Sequence, residues 1–207
     1  MTSSSVLDLA PVVPVVVLED AADAVPLARA LVAGGLPAIE VTLRTAAALD
    51  AIEAIAAEVP GAVVGAGTVI SARNVSDTVA AGARFLVSPG WTDPLLDAMK
   101  ASDVPFLPGV STTCEVVALL ERGVSEMKFF PAEAAGGTAY LKALSAPLPQ
   151  ARFCPTGGIS LASAPSYLAL PNVGCVGGSW MVPGDAVAAK DWARVERLAG
   201  EAAALRG

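Results

Sequence analysis

Lys128 lies inside the apolar run Met127-Lys128-Phe129-Phe130-Pro131. Strand alternation aims such a residue inward or at the mouth of whatever the strands enclose. An unpaired ammonium is costly to bury, and a neutral amine is the nucleophile that imine chemistry needs. A strand-edge lysine with its head in water fits the same residue, so Lys128 alone leaves both readings open. Glu40 follows Pro37-Ala38-Ile39 and precedes Val41, a second charge in an apolar run. There it can serve as a general base beside a cation, or as half of a structural ion pair with Arg44 or Lys128. Arg44 offers a planar fork that suits a carboxylate or phosphate. Thr68 places a hydroxyl beside the glycine turn 65–67, where plain turn chemistry is the competing explanation. Thr156-Gly157-Gly158 and Gly177-Gly178-Ser179 add two glycine pairs flanked by hydroxyls, a pattern that can cradle an anion with main-chain amides.

The elements that must position these residues are legible from periodicity. Short apolar runs at 12–18, 38–42, 62–65, 85–87, 105–107, 126–129, 152–154 and 173–176 alternate with Ala/Leu-rich segments. Their near-continuous apolar character fits parallel strands buried on both faces. Helix starts are predicted at Asp23, Thr45, Ser71, Thr92, Thr113 and either Ser160 or Ser163, with stops at Gly34-Gly35, before Pro60, and at Gly82 and Gly123. A weak helix is expected near 137–144, and 190–205 should close the chain. Eight strands each followed by a helix predict one (β/α)₈ TIM-barrel domain over 1–207. An open doubly wound sheet is the runner-up, disfavoured because no Gly-x-Gly-x-x-Gly opens the first helix. The polar and glycine clusters follow seven of the strands, on the face where barrel enzymes carry their active sites.

Composition narrows the chemistry further. The 207 residues are 54% hydrophobic and 16% charged, with a net charge of -7. An acidic chain disfavours nucleic acid and anionic membranes as partners, so an anionic substrate must be held by a few aimed donors. There is no histidine, which removes histidine triads, histidine-ligated zinc and histidine acid–base catalysis together. The three cysteines, Cys114, Cys154 and Cys175, are too scattered for a disulfide framework or zinc site and are read as reduced thiols. The start of the chain lacks a signal-peptide charge pattern, and the apolar run 11–18 is too short to span a bilayer, so a cytoplasmic location is expected. A sugar-phosphate epimerase or a non-catalytic phosphate-binding barrel remains possible on these grounds.

The stretches Glu40-Val41-Thr42-Leu43-Arg44-Thr45, Gly65-Ala66-Gly67-Thr68-Val69, Ser88-Pro89-Gly90, Lys128-Phe129-Phe130-Pro131-Ala132-Glu133, Pro155-Thr156-Gly157-Gly158-Ile159 and Gly177-Gly178-Ser179-Trp180 resemble the 2-keto-3-deoxy-6-phosphogluconate (KDPG) aldolases. These enzymes are also associated with 4-hydroxy-2-oxoglutarate (KHG) aldolase activity. The resemblance covers nearly the whole chain after about Val12. It implies a (β/α)₈ barrel assembled as a homotrimer, working without a cofactor in the Entner–Doudoroff pathway on a small keto acid phosphate. It assigns imine formation to Lys128 and acid–base work to Glu40. Arg44 and Thr68 match residues that hold the pyruvate carboxylate, and Pro89 and Phe130 match pocket walls. Gly157, Gly158, Gly178 and Ser179 match the phosphate end, and Thr156 beside them is expected to bind substrate. Relatives acting on the galactonate analogue often carry arginine at the end of the first strand. Leu18-Glu19-Asp20 stands there, which favours the gluconate substrate.

Overall fold

The structure, a computed structural model, describes residues 5–205; expectations for residues 1–4 and for the last two residues lie outside the described residues. Nine short strands are described: β1 (Val12–Val16), β2 (Ala38–Thr42), β3 (Val63–Gly67), β4 (Leu86–Val87), β5 (Phe106–Leu107), β6 (Gly109–Val110), β7 (Glu126–Phe129), β8 (Arg152–Pro155) and β9 (Val176–Gly178). Every pairing between them is parallel. Between and after them run α1 (Ala24–Ala33), α2 (Ala48–Glu58), α3 (Ala72–Ala80), α4 (Asp93–Ala101), α5 (Thr113–Glu121), α6 (Gly137–Leu144), α7 (Ala164–Leu168), α8 (Gly184–Ala188) and α9 (Trp192–Ala203). No helix among the described residues is long and apolar enough to cross a membrane.

The strands form a curled parallel half-barrel rather than one continuously bonded ring. Six lie in the order β5-β4-β3-β2-β1-β9, and three in the order β6-β7-β8. The expected fifth strand explains one break. Pro108 has no N–H to donate, and the chain changes partners there. Phe106 and Leu107 pair with β4 on one side of it, while Gly109 and Val110 pair with β7 on the other. The Pro108 carbonyl still accepts the Lys128 N–H at 3.0 Å. Opposite, β8 and β9 form no continuous ladder; the isolated bridges Phe153↔Val173 and Thr156↔Gly177 join the chain around them. The eighth strand accordingly sits at 176–178, later than the predicted 173–176.

Several predicted helix starts hold. The Ser71 hydroxyl accepts the Asn74 N–H, and the Thr92 hydroxyl accepts that of Leu95. One start moves for an identifiable reason. The Thr45 hydroxyl is committed to the Leu18 carbonyl, so α2 begins at Ala48. Asp23 stands just before α1, as predicted, but makes no side-chain cap and pairs instead with Lys190. Helix α5 begins at Thr113, as predicted, and is capped by Thr112 in a reciprocal box with Glu115. The predicted closing helix is found as α9, capped by Asp191, with the short α8 ahead of it.

Two apolar clusters result. The larger packs the helices onto the outer faces of the strands. The smaller gathers Val13, Ala38, Phe85, Val87, Leu107, Cys154 and Cys175, with Val6 and Leu7 from a 3₁₀ turn that precedes β1. Ser5 reaches Glu126 at 2.8 Å and Asp8 reaches Arg152 at 2.6 Å, which ties this turn to the first residues of β7 and β8. The turn therefore plugs the amino ends of the strands and leaves their carboxyl ends for the site. Leu7 is fully buried, so Leu7→Ala should cost about 2–5 kcal/mol. A lower urea midpoint at unchanged m-value checks this.

Candidate active site

Glu40 occupies the middle of β2, in register with Val15 on one side and Gly65 on the other. Lys128 occupies β7, between Gly109 and Cys154. The two strands belong to different sheets, and the side chains meet across the interior. Lys128 Nζ donates to Glu40 Oε1 at 3.1 Å, with the residues 5% and 2% exposed. Burying two charges incurs a desolvation penalty that their attraction offsets only with good geometry. Replacement by well-packed apolar residues would often be neutral or stabilising, so stability alone gives a weak reason for the pair.

The space for it comes from residues without side chains. A Cβ on Gly67 would land on the Glu40 carboxylate, so only glycine allows that approach. Immediately after it, Thr68 adopts a positive φ of 59°. A β-branched residue there is strained by roughly 1–3 kcal/mol. The strained turn puts the Thr68 hydroxyl 3.4 Å from Arg44 Nε. Arg44, just past β2, is exposed at the mouth. Phe130, just past β7, holds its ring centroid 5.3 Å from Lys128 Nζ. That contact is within cation–π range and presents an apolar wall to the amine.

Arg44 and Phe130 line a cavity of about 310 Å³. Thr156, Gly157, Gly158, Gly178 and Ser179 line it too, with Val15, Ile159 and Gly177 completing it. Gly157 and Gly158 have φ of 107° and 80°, a pair of left-handed residues that only glycine adopts comfortably. Pro89 stands apart from this lining: its backbone packs where a Cβ on Gly109 would be, beside Lys128 in register. A second cavity of about 360 Å³ adjoins at Val15 and Ser179. Its lining includes Glu19, Asp20 and Asp23 and no basic side chain, so it repels an anion that the Arg44 cavity attracts.

Sequence reasoning placed Gly177 in an anion-cradling glycine pair but missed Val15 and Ile159 as lining, and Gly67 and Ser88 as supports. Val15 and Ile159 read as ordinary apolar residues; only the curl of the strands brings them to the cavity. Ser88 is fully buried and accepts the Gly109 N–H at 3.3 Å. Its one signal was a hydroxyl at the end of a short apolar run.

These features define a parallel α/β protein with an amine–carboxylate pair held near the carboxyl ends of its strands, beside a cavity lined by Arg44 and two left-handed glycines. Residues 4–198 match the family described as KDPG and KHG aldolase. The KHG/KDPG aldolase of Escherichia coli K12 is 52% identical over 201 residues, which cover 97% of this chain and 94% of that one. A Legionella pneumophila KDPG aldolase, captured with pyruvate at low pH as a covalent carbinolamine intermediate, superposes with a TM-score of 0.93. It is 47% identical and covers 95% of this chain and 96% of its own. A 2-keto-3-deoxy-6-phosphogluconate aldolase of Zymomonas mobilis ZM4, solved with 3-phosphoglycerate, has a TM-score of 0.92 and 50% identity. It covers 97% of this chain and 94% of its own. The chain belongs to the KDPG and KHG aldolase family.

Proposed function

We propose that this protein is a class I aldolase. It cleaves 2-dehydro-3-deoxy-6-phosphogluconate to pyruvate and glyceraldehyde 3-phosphate, and 4-hydroxy-2-oxoglutarate to pyruvate and glyoxylate. The observation that carries the reading is the buried 3.1 Å contact between Lys128 Nζ and Glu40 Oε1. The carbinolamine trapped in the Legionella relative and the phosphorylated ligand of the Zymomonas relative support it.

In this mechanism the neutral Lys128 amine adds to the C2 ketone, and loss of water leaves a protonated imine. That cation draws electrons as a cofactor or Lewis-acid metal otherwise would. Glu40, directly or through one water, removes the C4 hydroxyl proton. The C3–C4 bond breaks, the aldehyde leaves, and an enamine remains on Lys128. Glu40 returns a proton to C3, and hydrolysis releases pyruvate and the free amine. Arg44 and Thr68 hold the substrate carboxylate, and Phe130 and Pro89 wall the reacting carbons. Thr156, Gly157, Gly158, Gly178 and Ser179 receive the phosphate.

On this reading residues 1–207 form one domain, and the strands complete a (β/α)₈ barrel. The continuity of the chain across Pro108 and the two isolated bridges beside β8 support that closure. The working form is a cytoplasmic homotrimer, as the family resemblance implies. Coupled detection of pyruvate from each keto acid, with and without a strong chelator, tests the function. Turnover that survives chelation is expected. Turnover of neither substrate removes the aldolase reading, and loss on chelation points to a metal-dependent enzyme.

A further inference from the structure

Gly157 and Gly158 form the part of the cavity that the mechanism assigns to phosphate, yet consecutive left-handed glycines are conformationally loose. An anion is well held only by donors fixed in advance. What fixes this turn lies on its far side, in residues the mechanism does not use. The Ala132 N–H donates to the Thr156 carbonyl at 2.8 Å, and the Glu133 N–H donates to the Gly157 carbonyl at 3.1 Å. The Glu133 stem backs the turn directly, since a Cβ on Gly158 would lie 2.7 Å from Glu133 Cγ. The Glu133 carboxylate is tied in turn to α7, where the Tyr167 hydroxyl donates to Glu133 Oε1 at 2.6 Å. Tyr167 is only 1% exposed, so the anchor is part of the core. Burial, with the neighbouring carboxylate, pushes the Tyr167 phenol far above its ordinary range. The hydroxyl therefore keeps its proton to donate throughout the working range.

We infer that Glu133 and Tyr167 are positioning residues for the phosphate end of the cavity. Tyr167 fixes the Glu133 carboxylate, and Glu133 braces the Gly157–Gly158 turn in its anion-accepting shape. This rests on the proposed aldolase reading for the identity of the anion. Its consequence is selective: loss of the brace weakens binding of phosphorylated substrate and leaves the chemistry at Lys128 alone.

The test is steady-state kinetics of Tyr167→Phe, Glu133→Ala and Glu133→Gln with the phosphorylated and unphosphorylated keto acids. Inorganic phosphate affinity is measured beside it by calorimetry. Tyr167→Phe and Glu133→Ala should raise KM for the phosphorylated substrate and Kd for phosphate about tenfold, the scale of one lost hydrogen bond to a positioned group. KM for 4-hydroxy-2-oxoglutarate and both kcat values should change less than about twofold. Glu133→Gln, which keeps the stem and an acceptor oxygen for Tyr167, should restore phosphate affinity. Equal KM changes on both substrates, or none on either in folded variants, overturn the inference. If Tyr167→Phe fails to fold by circular dichroism, Glu133→Ala at its exposed position decides. If the wild type cleaves neither keto acid, the aldolase reading falls, and the brace stands or falls on phosphate affinity alone.

Discussion

Treated with borohydride in the presence of pyruvate, the wild-type protein should gain a stable covalent mass on Lys128, and Lys128→Ala should gain none. Of the four lysines, Lys100, Lys142 and Lys190 are exposed, and only Lys128 sits in an apolar strand against a carboxylate. Removing the group that forms the bond to substrate removes the whole imine route, so turnover should fall by at least about 10⁴-fold. The substitution also leaves Glu40 buried without its partner, at a cost of about 3–5 kcal/mol in stability. Thermal unfolding is therefore measured first, and Lys128→Met, which keeps the apolar stem, is assayed alongside. Mass spectrometry that locates the adduct on another residue, or finds none on the wild type, removes the imine mechanism.

Glu40→Gln should separate the two halves of the reaction. The amide keeps the shape that fits over Gly67 but cannot take or return a proton at the C4 hydroxyl or C3. Pyruvate should still be trapped on Lys128, while carbon–carbon cleavage falls by about 10²–10⁴-fold, the usual contribution of a positioned general base. Exchange of the pyruvate methyl protons with deuterated solvent, followed by proton NMR, should slow in step, because it uses the same carboxylate. Near-normal turnover or exchange in Glu40→Gln would exclude Glu40 as the proton carrier. Turnover and trapping lost together would instead assign it to imine formation.

The sequence was most legible where a local signal agreed with its surroundings. Ser71 and Thr92 cap the helices they precede because nothing else competes for their hydroxyls. Thr45 and Asp23 looked equally good, but the Leu18 carbonyl and Lys190 claim their side chains across the fold, so α2 begins later and α1 starts after Asp23 without its side-chain cap. Capping signals are local, whereas the partners that override them are set by tertiary position. Pro108 shows the converse. Its missing N–H was visible in the chain, but that one strand would therefore pair with two sheets depends on the curl.

The candidate site divides in the same way. Residue type alone determined that Lys128 and Glu40 were charges in apolar strands, and that glycine pairs followed the seventh and eighth expected strands. The absence of histidine likewise confined proton transfer to other groups. Those statements need only composition and the two-residue period of a strand. Tertiary structure alone decided that two side chains 88 positions apart meet at 3.1 Å. It also decided that Gly67 is empty to make room for Glu40, and that Tyr167 braces a turn through Glu133. Contacts of that range depend on register and curvature summed over several strands, and no local pattern in the chain encodes either quantity.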